Sequence, residues 1–342
     1  MSLSGEETNM SRKPSFGRRS VCAAVAALAG LVFAGNMSSA QAAEKYPNRT
    51  IKFIVPYSPG GLPDTVARIT AQRLTEDLGV SVVVDNKPGA NGVIAAQALM
   101  SSPADGYTFL VTDGSMMSIN PFIYKDLSYD PKRDFMPVSL VATSPLFLAA
   151  HPSFPANTFQ EFIELVKSRP GQYNYGSSGI GSSHHLTMEA LKAALGLQID
   201  HVPFRGTGQS VPALIGNQVP MVFSALPSLV GFVEKGQAKL LAVNSEKRYG
   251  MAPDVPAIAE LIPGFDFAPT VGILAPAGTP KEAIDLISAR VAEIVKKPQV
   301  IETMRNMGID PVGGSAEEYG KAIAAETERY SKAIKAAGLT AQ

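Results

Sequence analysis

The sequence has no tryptophan and one cysteine in 342 residues. A single cysteine excludes a disulfide scaffold and any Cys-rich zinc or iron–sulfur site. Histidine is scarce as well, at His151, His184, His185 and His201. An excess of charge is missing too: 30 Lys+Arg balance 30 Asp+Glu, and charged residues make up only 18%. That excludes a broad nucleic-acid surface, which needs clustered excess Lys and Arg, and it argues against disorder. Apolar residues reach 45%, and Gly (30) and Pro (26) are plentiful, so many tight, shaped loops are expected. The length suits about two domains of roughly 150 residues, enough for two cores. The composition is that of a soluble α/β protein.

Residues 1–42 read as an address. Arg12, Lys13, Arg18 and Arg19 make a basic start, an apolar run covers 21–34, and the segment ends Ala40-Gln41-Ala42. These are the parts of a secretory signal peptide, and the apolar core is shorter than the roughly 20 residues of a membrane-spanning helix. The expected location is therefore the periplasm. Arg18-Arg19 leaves the twin-arginine route open beside ordinary secretion.

From residue 51 strands and helices alternate. An apolar β-rich run at 51–56 is broken by Pro59-Gly60-Gly61. An apolar stripe with three- and four-residue steps then runs from Asp64 to Leu78 and stops at Gly79, the pattern of a helix packed on a core. A second strand at 80–84, a short helix at 93–100 and a third strand at 108–112 imply a parallel sheet with right-handed crossovers. A long apolar stretch at 137–150 leads to a second series. Its helix at 158–168 opens with a Thr158 cap and Glu161, and it continues through a helix at 182–195 and a strand at 219–223. A second apolar stretch, 267–275, carries the chain back to C-terminal helices packed on the first lobe. The expected division is 43–145 plus 272–342 for the first lobe and 146–271 for the second.

Ligands in open parallel sheets bind beyond the carboxyl ends of strands, where two loops stand out. The first is Tyr57-Ser58-Pro59-Gly60-Gly61-Leu62-Pro63-Asp64. Its paired glycines admit close backbone approach, and the following helix N-terminus favours an anion; the alternative is a plain turn with Asp64 as N-cap. The second is Gly176-Ser177-Ser178-Gly179-Ile180-Gly181-Ser182-Ser183-His184-His185, which offers hydroxyls and N–H groups suited to a carboxylate. Gly60, Gly61, Ser178, Gly181, Ser182, Ser183 and His185 are the resulting candidates. Thr112 and Ser115, at the end of strand three, could add donors or form a turn. In Phe204-Arg205-Gly206, Arg205 could grip a carboxylate bidentately, while Tyr57 and Phe204 could enclose an apolar ligand body. Core or rim packing is the alternative for both aromatics.

Catalytic and cofactor patterns fit poorly. The second loop lacks G-x-S-x-G spacing, no Lys follows the glycines as in a P-loop, and G-x-G-x-x-G is missing. Adjacent His184 and His185 diverge by about 100° on a helix, so no metal site and no cofactor are expected. A secreted hydrolase using Ser178 or Ser182 with His185 stands as the weakest alternative.

Several motifs in order carry a family resemblance: the 57–68 segment, Asn86-Lys87-Pro88-Gly89-Ala90-Asn91-Gly92, Ala104-Asp105-Gly106-Tyr107-Thr108, Ile119-Asn120-Pro121, Tyr129-Asp130-Pro131, Gly181 to Leu186, Asp254-Val255-Pro256 and Ala275 to Pro280. The chain resembles the substrate-binding proteins of tripartite tricarboxylate transporters, the Bug-type periplasmic receptors. The resemblance implies a type II-like periplasmic-binding-protein fold: two α/β lobes, each a mostly parallel sheet flanked by helices, joined by two crossing segments. It further implies no enzymatic activity, a monomer that closes on a small organic acid, and delivery to a membrane permease; a sensing subunit for a two-component kinase is the runner-up. In such proteins the loops equivalent to 57–64 and 178–185 hold one carboxylate. Where the family commonly carries acidic residues this chain has Pro220-Met221 and Phe223-Ser224, and Thr270 stands in place of a usual Trp. Ser224 therefore joins the candidate list, and the expected ligand is a dicarboxylate or aromatic acid rather than an amino acid.

Overall fold

The computed structural model describes residues 46–341, so the expected signal segment lies outside the described residues. The first lobe opens with β1 (Ile51–Val55), α1 (Leu62–Leu78), β2 (Val82–Asn86), α2 (Val93–Met100) and β3 (Thr108–Asp113). Two short helices, α3 (Ser115–Ser118) and α4 (Asn120–Ile123), lead to β4 (Phe135–Thr143). The second lobe contains β5 (Leu146–Ala150), α5 (Phe159–Ser168), β6 (Asn174–Ser177), α6 (Ser183–Leu195), β7 (Asp200–Pro203), α7 (Thr207–Ile215), β8 (Met221–Ala225), α8 (Leu226–Val233) and β9 (Lys239–Val243). The chain then returns through β10 (Thr270–Pro276), α9 (Lys281–Ile294), α10 (Pro298–Arg305), β11 (Asp310–Gly314) and α11 (Ala316–Ala336).

The strands form a six-stranded sheet, β11-β4-β10-β3-β1-β2, and a five-stranded sheet, β7-β6-β8-β5-β9. Both are mixed rather than mostly parallel. The β-α-β segments pair parallel, β1 with β2 and β3, and β6 with β7 and β8. The strands at the crossings enter the opposite way, β10 against β3 and β4, and β5 against β8 and β9. A crossing segment that leaves one sheet and enters the next directly, with no covering helix, has no crossover to restore its direction, so it pairs antiparallel.

The central strands β1, β5, β8 and β10 are largely apolar and buried because both sheet faces are covered there. In β1, Ile51, Phe53 and Val55 point to one core and Ile54 to the other; in β5, Leu146, Leu148 and Ala150 face the first and Phe147 and Ala149 the opposite side. This two-residue alternation builds one cluster shared by both lobes, with a satellite core outside each sheet.

The apolar stretch at 137–150 is two strands in different sheets, divided at Ser144-Pro145. Proline has no N–H for a ladder and biases the residue before it. Asn244 fastens the crossings together: its Oδ1 accepts from Leu146 N at 2.7 Å and its Nδ2 donates to Phe267 O at 2.8 Å. Thr270 and Val271, grouped with the second lobe on sequence, pair with Thr143 and Ala142 in the first sheet. α11 packs on β4 as expected, and on α6 of the second lobe as well.

Candidate functional site

Loop one follows β1. The helix α1 starts at Leu62 with Gly61 as N-cap, so Asp64 is its third residue and not the cap. The Asp64 carboxylate is already engaged: Oδ2 accepts from Gly60 N and Arg68 Nε, both at 2.9 Å, and Oδ1 accepts from Asn86 Nδ2 at 2.9 Å. Burial pushes its pKa up, but the hydrogen bonds from Arg68, Gly60 and Asn86 outweigh burial and hold it below the usual value. Asp64 shapes the loop rather than facing a ligand.

Loop two joins β6 to α6, and its internal hydrogen bonds are made by hydroxyls and imidazoles. Ser182 is the N-cap of α6; its Oγ accepts from His185 N at 3.2 Å and donates to Gly179 O at 2.8 Å. His185 Nδ1 accepts from Gly181 N at 3.1 Å, and its ring stacks on His201 with centroids 4.0 Å apart. Ser178 Oγ lies 2.7 Å from His184 Nδ1, and Ser177 Oγ lies 2.6 Å from His201 Nε2. Burial lowers the pKa of His184 and His185 to about 4 and of His201 to about 3, so all three rings are neutral at pH 7.

Hydrogen bonds cross from lobe to lobe around these loops. Ser58 Oγ donates to Arg205 O (2.8 Å), Ser228 Oγ to Gly60 O (3.0 Å), and Asn91 Nδ2 to Gly181 O (2.7 Å). Asp113 sits at the junction: Oδ1 accepts from Tyr57 Oη and Oδ2 from Ser183 Oγ, both at 2.9 Å, while Ser183 N donates to Ser115 Oγ at 3.0 Å. Burial raises the Asp113 pKa against these hydrogen bonds, and raises that of Tyr57 well above its ordinary value.

The lobes enclose a cavity of about 260 Å³. Pro56 and Tyr57 form one wall, Gly89, Ala90 and Asn91 a second, and Ser178, Gly179 and Ile180 a third, with Tyr124, Pro203, Phe204 and Arg205 completing it. Both glycine loops thus reach one space. Among the described residues, the N–H groups of Ser178 and Ile180 find no protein acceptor. The lining contains one cation, Arg205, and no carboxylate.

Of the residues singled out on sequence, Tyr57, Ser178, Phe204 and Arg205 line the cavity. Ser58, Gly60, Ser115, Gly181 and Ser183 make the inter-lobe hydrogen bonds. Gly61 and Gly206 press on the opposite lobe, where an added Cβ would lie 2.7 Å from Thr207 Oγ1 and 3.2 Å from Ser58 N respectively. Ser182 and His185 hold loop two from behind. Thr112 is buried in β3 with its hydroxyl on Asp113 O at 3.0 Å. Ser224 is buried inside β8, opposite Phe147, and its hydroxyl has no partner among the described residues. Met221 and Ser224 are interior strand positions, not rim positions, so these departures from the family pattern do not bear on the cavity wall.

Sequence reasoning missed Asn91, Tyr124 and Asp113. For Asn91 the signal was the flanking Gly89 and Gly92. Their φ of 136° and 89° allow Ala90 and Asn91 to sit at φ 45° and 43°, an uncommon backbone state for non-glycine residues of the kind that clusters at ligand sites. Asn91 also donates to Asn120 Oδ1 at 2.7 Å.

The hydrolase reading fails on geometry: Ser178 pairs with His184, Ser182 bonds Gly179 O and the backbone N of His185, and the His185 ring takes Gly181 N on Nδ1, so neither serine bonds the His185 imidazole that would have to act as its base. Among the described residues no group of three or more His, Cys, Asp or Glu is placed to hold a metal, and no helix is long and apolar enough to cross a membrane.

The tripartite tricarboxylate transporter family receptor model matches residues 66–339. Among solved structures, R. palustris Rpa4515 with adipate is 34% identical at a TM-score of 0.85, covering 87% of this chain and all of its own. The periplasmic binding protein BugD is 31% identical at 0.82, covering 87% of this chain and 100% of its own. MatC from Rhodopseudomonas palustris with bound malate is 28% identical at 0.80, covering 84% and 100%. With the two lobes and the shared cleft, these matches identify the chain as a periplasmic solute-binding receptor, not an enzyme, belonging to the tripartite tricarboxylate transporter receptor family of Bug-type proteins.

Proposed function

We propose that this receptor captures a small dicarboxylic acid between its lobes and delivers it to integral-membrane permease subunits, acting as a monomer after residues 1–42 direct its export. The observation that carries this reading is the cavity lining, with one cation and no carboxylate. One carboxylate of the ligand lies against the Ser178 hydroxyl and the N–H groups of Ser178 and Ile180. The other end meets Arg205, whose guanidinium suits bidentate pairing, with Tyr124 and Phe204 beside the methylene chain. An ammonium group would meet no counter-charge in this lining, which disfavours amino acids. The adipate and malate bound by the related receptors support a dicarboxylate. Closure is favoured because the ligand contacts both lobes only in the closed state. We place the lobe division where the chain changes sheets, between Thr143 and Leu146 and between Val243 and Thr270.

The test is calorimetric titration of the purified protein with succinate, adipate, benzoate and aspartate, paired with thermal shift, since a bound ligand raises the melting temperature by mass action. A dicarboxylate is expected to bind best, and Arg205→Gln to weaken it by about tenfold to a hundredfold. Benzoate binding best would replace the dicarboxylate with an aromatic acid. Aspartate binding far more tightly than any plain acid would overturn the reading.

A further inference from the structure

We propose that His184 is a positioning residue that holds Ser178 as a hydrogen-bond donor toward the bound acid, so that this pair discriminates a carboxylate from its neutral analogues. The inference rests on the cavity being the acid site.

Ser178 lines the cavity, and its Oγ is 2.7 Å from His184 Nδ1. His184 is buried, and its Nε2 has no partner among the described residues. Burial lowers its pKa to about 4, so at neutral pH the ring carries a single N–H. That proton has two possible places. On Nε2 it would be a buried donor with no acceptor, and on Nδ1 it would leave Nε2 a buried acceptor with no donor, so the ligand and not this cost decides between the two. With the proton on Nε2, Nδ1 would accept the Ser178 O–H, and only serine lone pairs would face the cavity, repelling a carboxylate. On Nδ1 the proton is bonded to Ser178 Oγ, and the serine O–H is released to point into the cavity.

A carboxylate accepts and does not donate, so it selects the second arrangement. Loop two supports the same sense of polarity, since the N–H groups of Ser178 and Ile180 also lack acceptors among the described residues. A serine without this neighbour could turn its hydroxyl either way. With Nδ1–H bonded to its oxygen, the serine turns its hydroxyl proton toward the cavity, beside the N–H groups of Ser178 and Ile180. His185, one residue on, does not share the role: its Nδ1 is occupied by Gly181 N at 3.1 Å.

The experiment uses the wild-type protein labelled with ¹⁵N-histidine and saturated with adipate, with the protonated ring nitrogen of His184 read by NMR. Nδ1–H is expected in the complex; Nε2–H or an imidazolium overturns the inference. The second readout is the affinity ratio of adipate to its monoamide in wild type, His184→Leu and His184→Asn, each checked for folding by circular dichroism. Loss of the imidazole should reduce the acid-over-amide ratio by about tenfold, and Asn, whose amide places a donor near the Nδ1 position, should restore it to within about threefold. An unchanged ratio in a folded His184→Leu variant overturns the positioning role while leaving the receptor reading intact. A wild-type protein that binds no dicarboxylate, monocarboxylate or aromatic acid overturns both.

Discussion

The two loops that reach the cavity are fixed by opposite chemistry. Loop one is held by a charge: the Asp64 carboxylate takes Gly60 N, Arg68 and Asn86. Loop two is held internally by hydroxyls and uncharged imidazoles, Ser177 on His201, Ser178 on His184, and Gly181 N on His185, and meets a carboxyl only at its edge, where Ser183 donates to Asp113. Both arrangements bring their loop to the same space, loop one through Tyr57 and loop two through Ser178 to Ile180, but they respond differently to mutation and to pH. A carboxylate anchor fails when protonated at low pH, whereas a buried neutral histidine fails when it must take up a proton in the mildly acidic range.

The comparison is broken most severely at Gly181. Its φ is 77°, it receives the Asn91 hydrogen bond, and a Cβ there would overlap Ile123 Cδ1 across the lobes. Gly181→Val is expected to prevent closure and reduce ligand affinity at least about a hundredfold, since backbone strain and loss of a packed contact act together. Titration calorimetry reads the loss; affinity within tenfold of wild type would show that loop two does not need this approach.

A second difference lies in pH dependence. His184, His185 and His201 have folded-state pKa values depressed to about 4, 4 and 3. Their unfolded values are near 6.5, so below that pH the unfolded chain binds more protons and stability falls as pH drops. Glu326 opposes them. It is buried, accepts from Thr270 N at 2.9 Å, and its pKa is raised by burial to about 7. Its contribution is full below about 4.5 and is lost as pH rises toward 7. Three histidines outnumber Glu326 and the buried Asp113, whose pKa is likewise raised, and leave a net loss on acidification from 6.5 to about 4.5, on the order of a few kcal/mol. Urea unfolding across that range measures it, and a flat or inverted profile would contradict the buried neutral rings.

The smallest effect is expected in loop one. Asp64→Ala removes the anchor and should cost about 1–3 kcal/mol through the hydrogen bonds to Gly60 and Asn86; the Arg68 partner is largely exposed, so its share is small. In wild type this contribution is present above the ordinary Asp value and is lost as pH falls through the depressed folded-state value, below the histidine window. The Asp64→Ala protein should therefore show a shallower acid limb when the urea unfolding series is extended below pH 4.

Much of the site was legible because its loops follow strongly patterned elements. The apolar step from Val66 to Leu74 marks α1, and Thr158 caps α5 with its hydroxyl accepting from Glu161 N at 3.1 Å, as its spacing predicts. What failed was local in another way. Residues 115–118 and 120–123 form helices of four residues each, too short to display a period, and β11 contains Pro311 and two glycines, a composition that favours turns. The 137–150 stretch read as one crossing because apolar strands buried on both faces lose their alternation.

The amino-acid order alone was sufficient to establish the α/β class, the two glycine loops as the ends of strands, the lack of cofactor motifs and the family. These follow from periodicity, turn chemistry and motifs carried within short windows. Tertiary structure decided what windows cannot hold: that Asp64 supports its own loop, that Ser224 is interior, that Asn91 and Asp113 complete the junction, and that Ser178 pairs with His184 instead of His185. Each of those depends on contacts between residues far apart in the chain, or on which way a side chain turns once both faces of a sheet are covered.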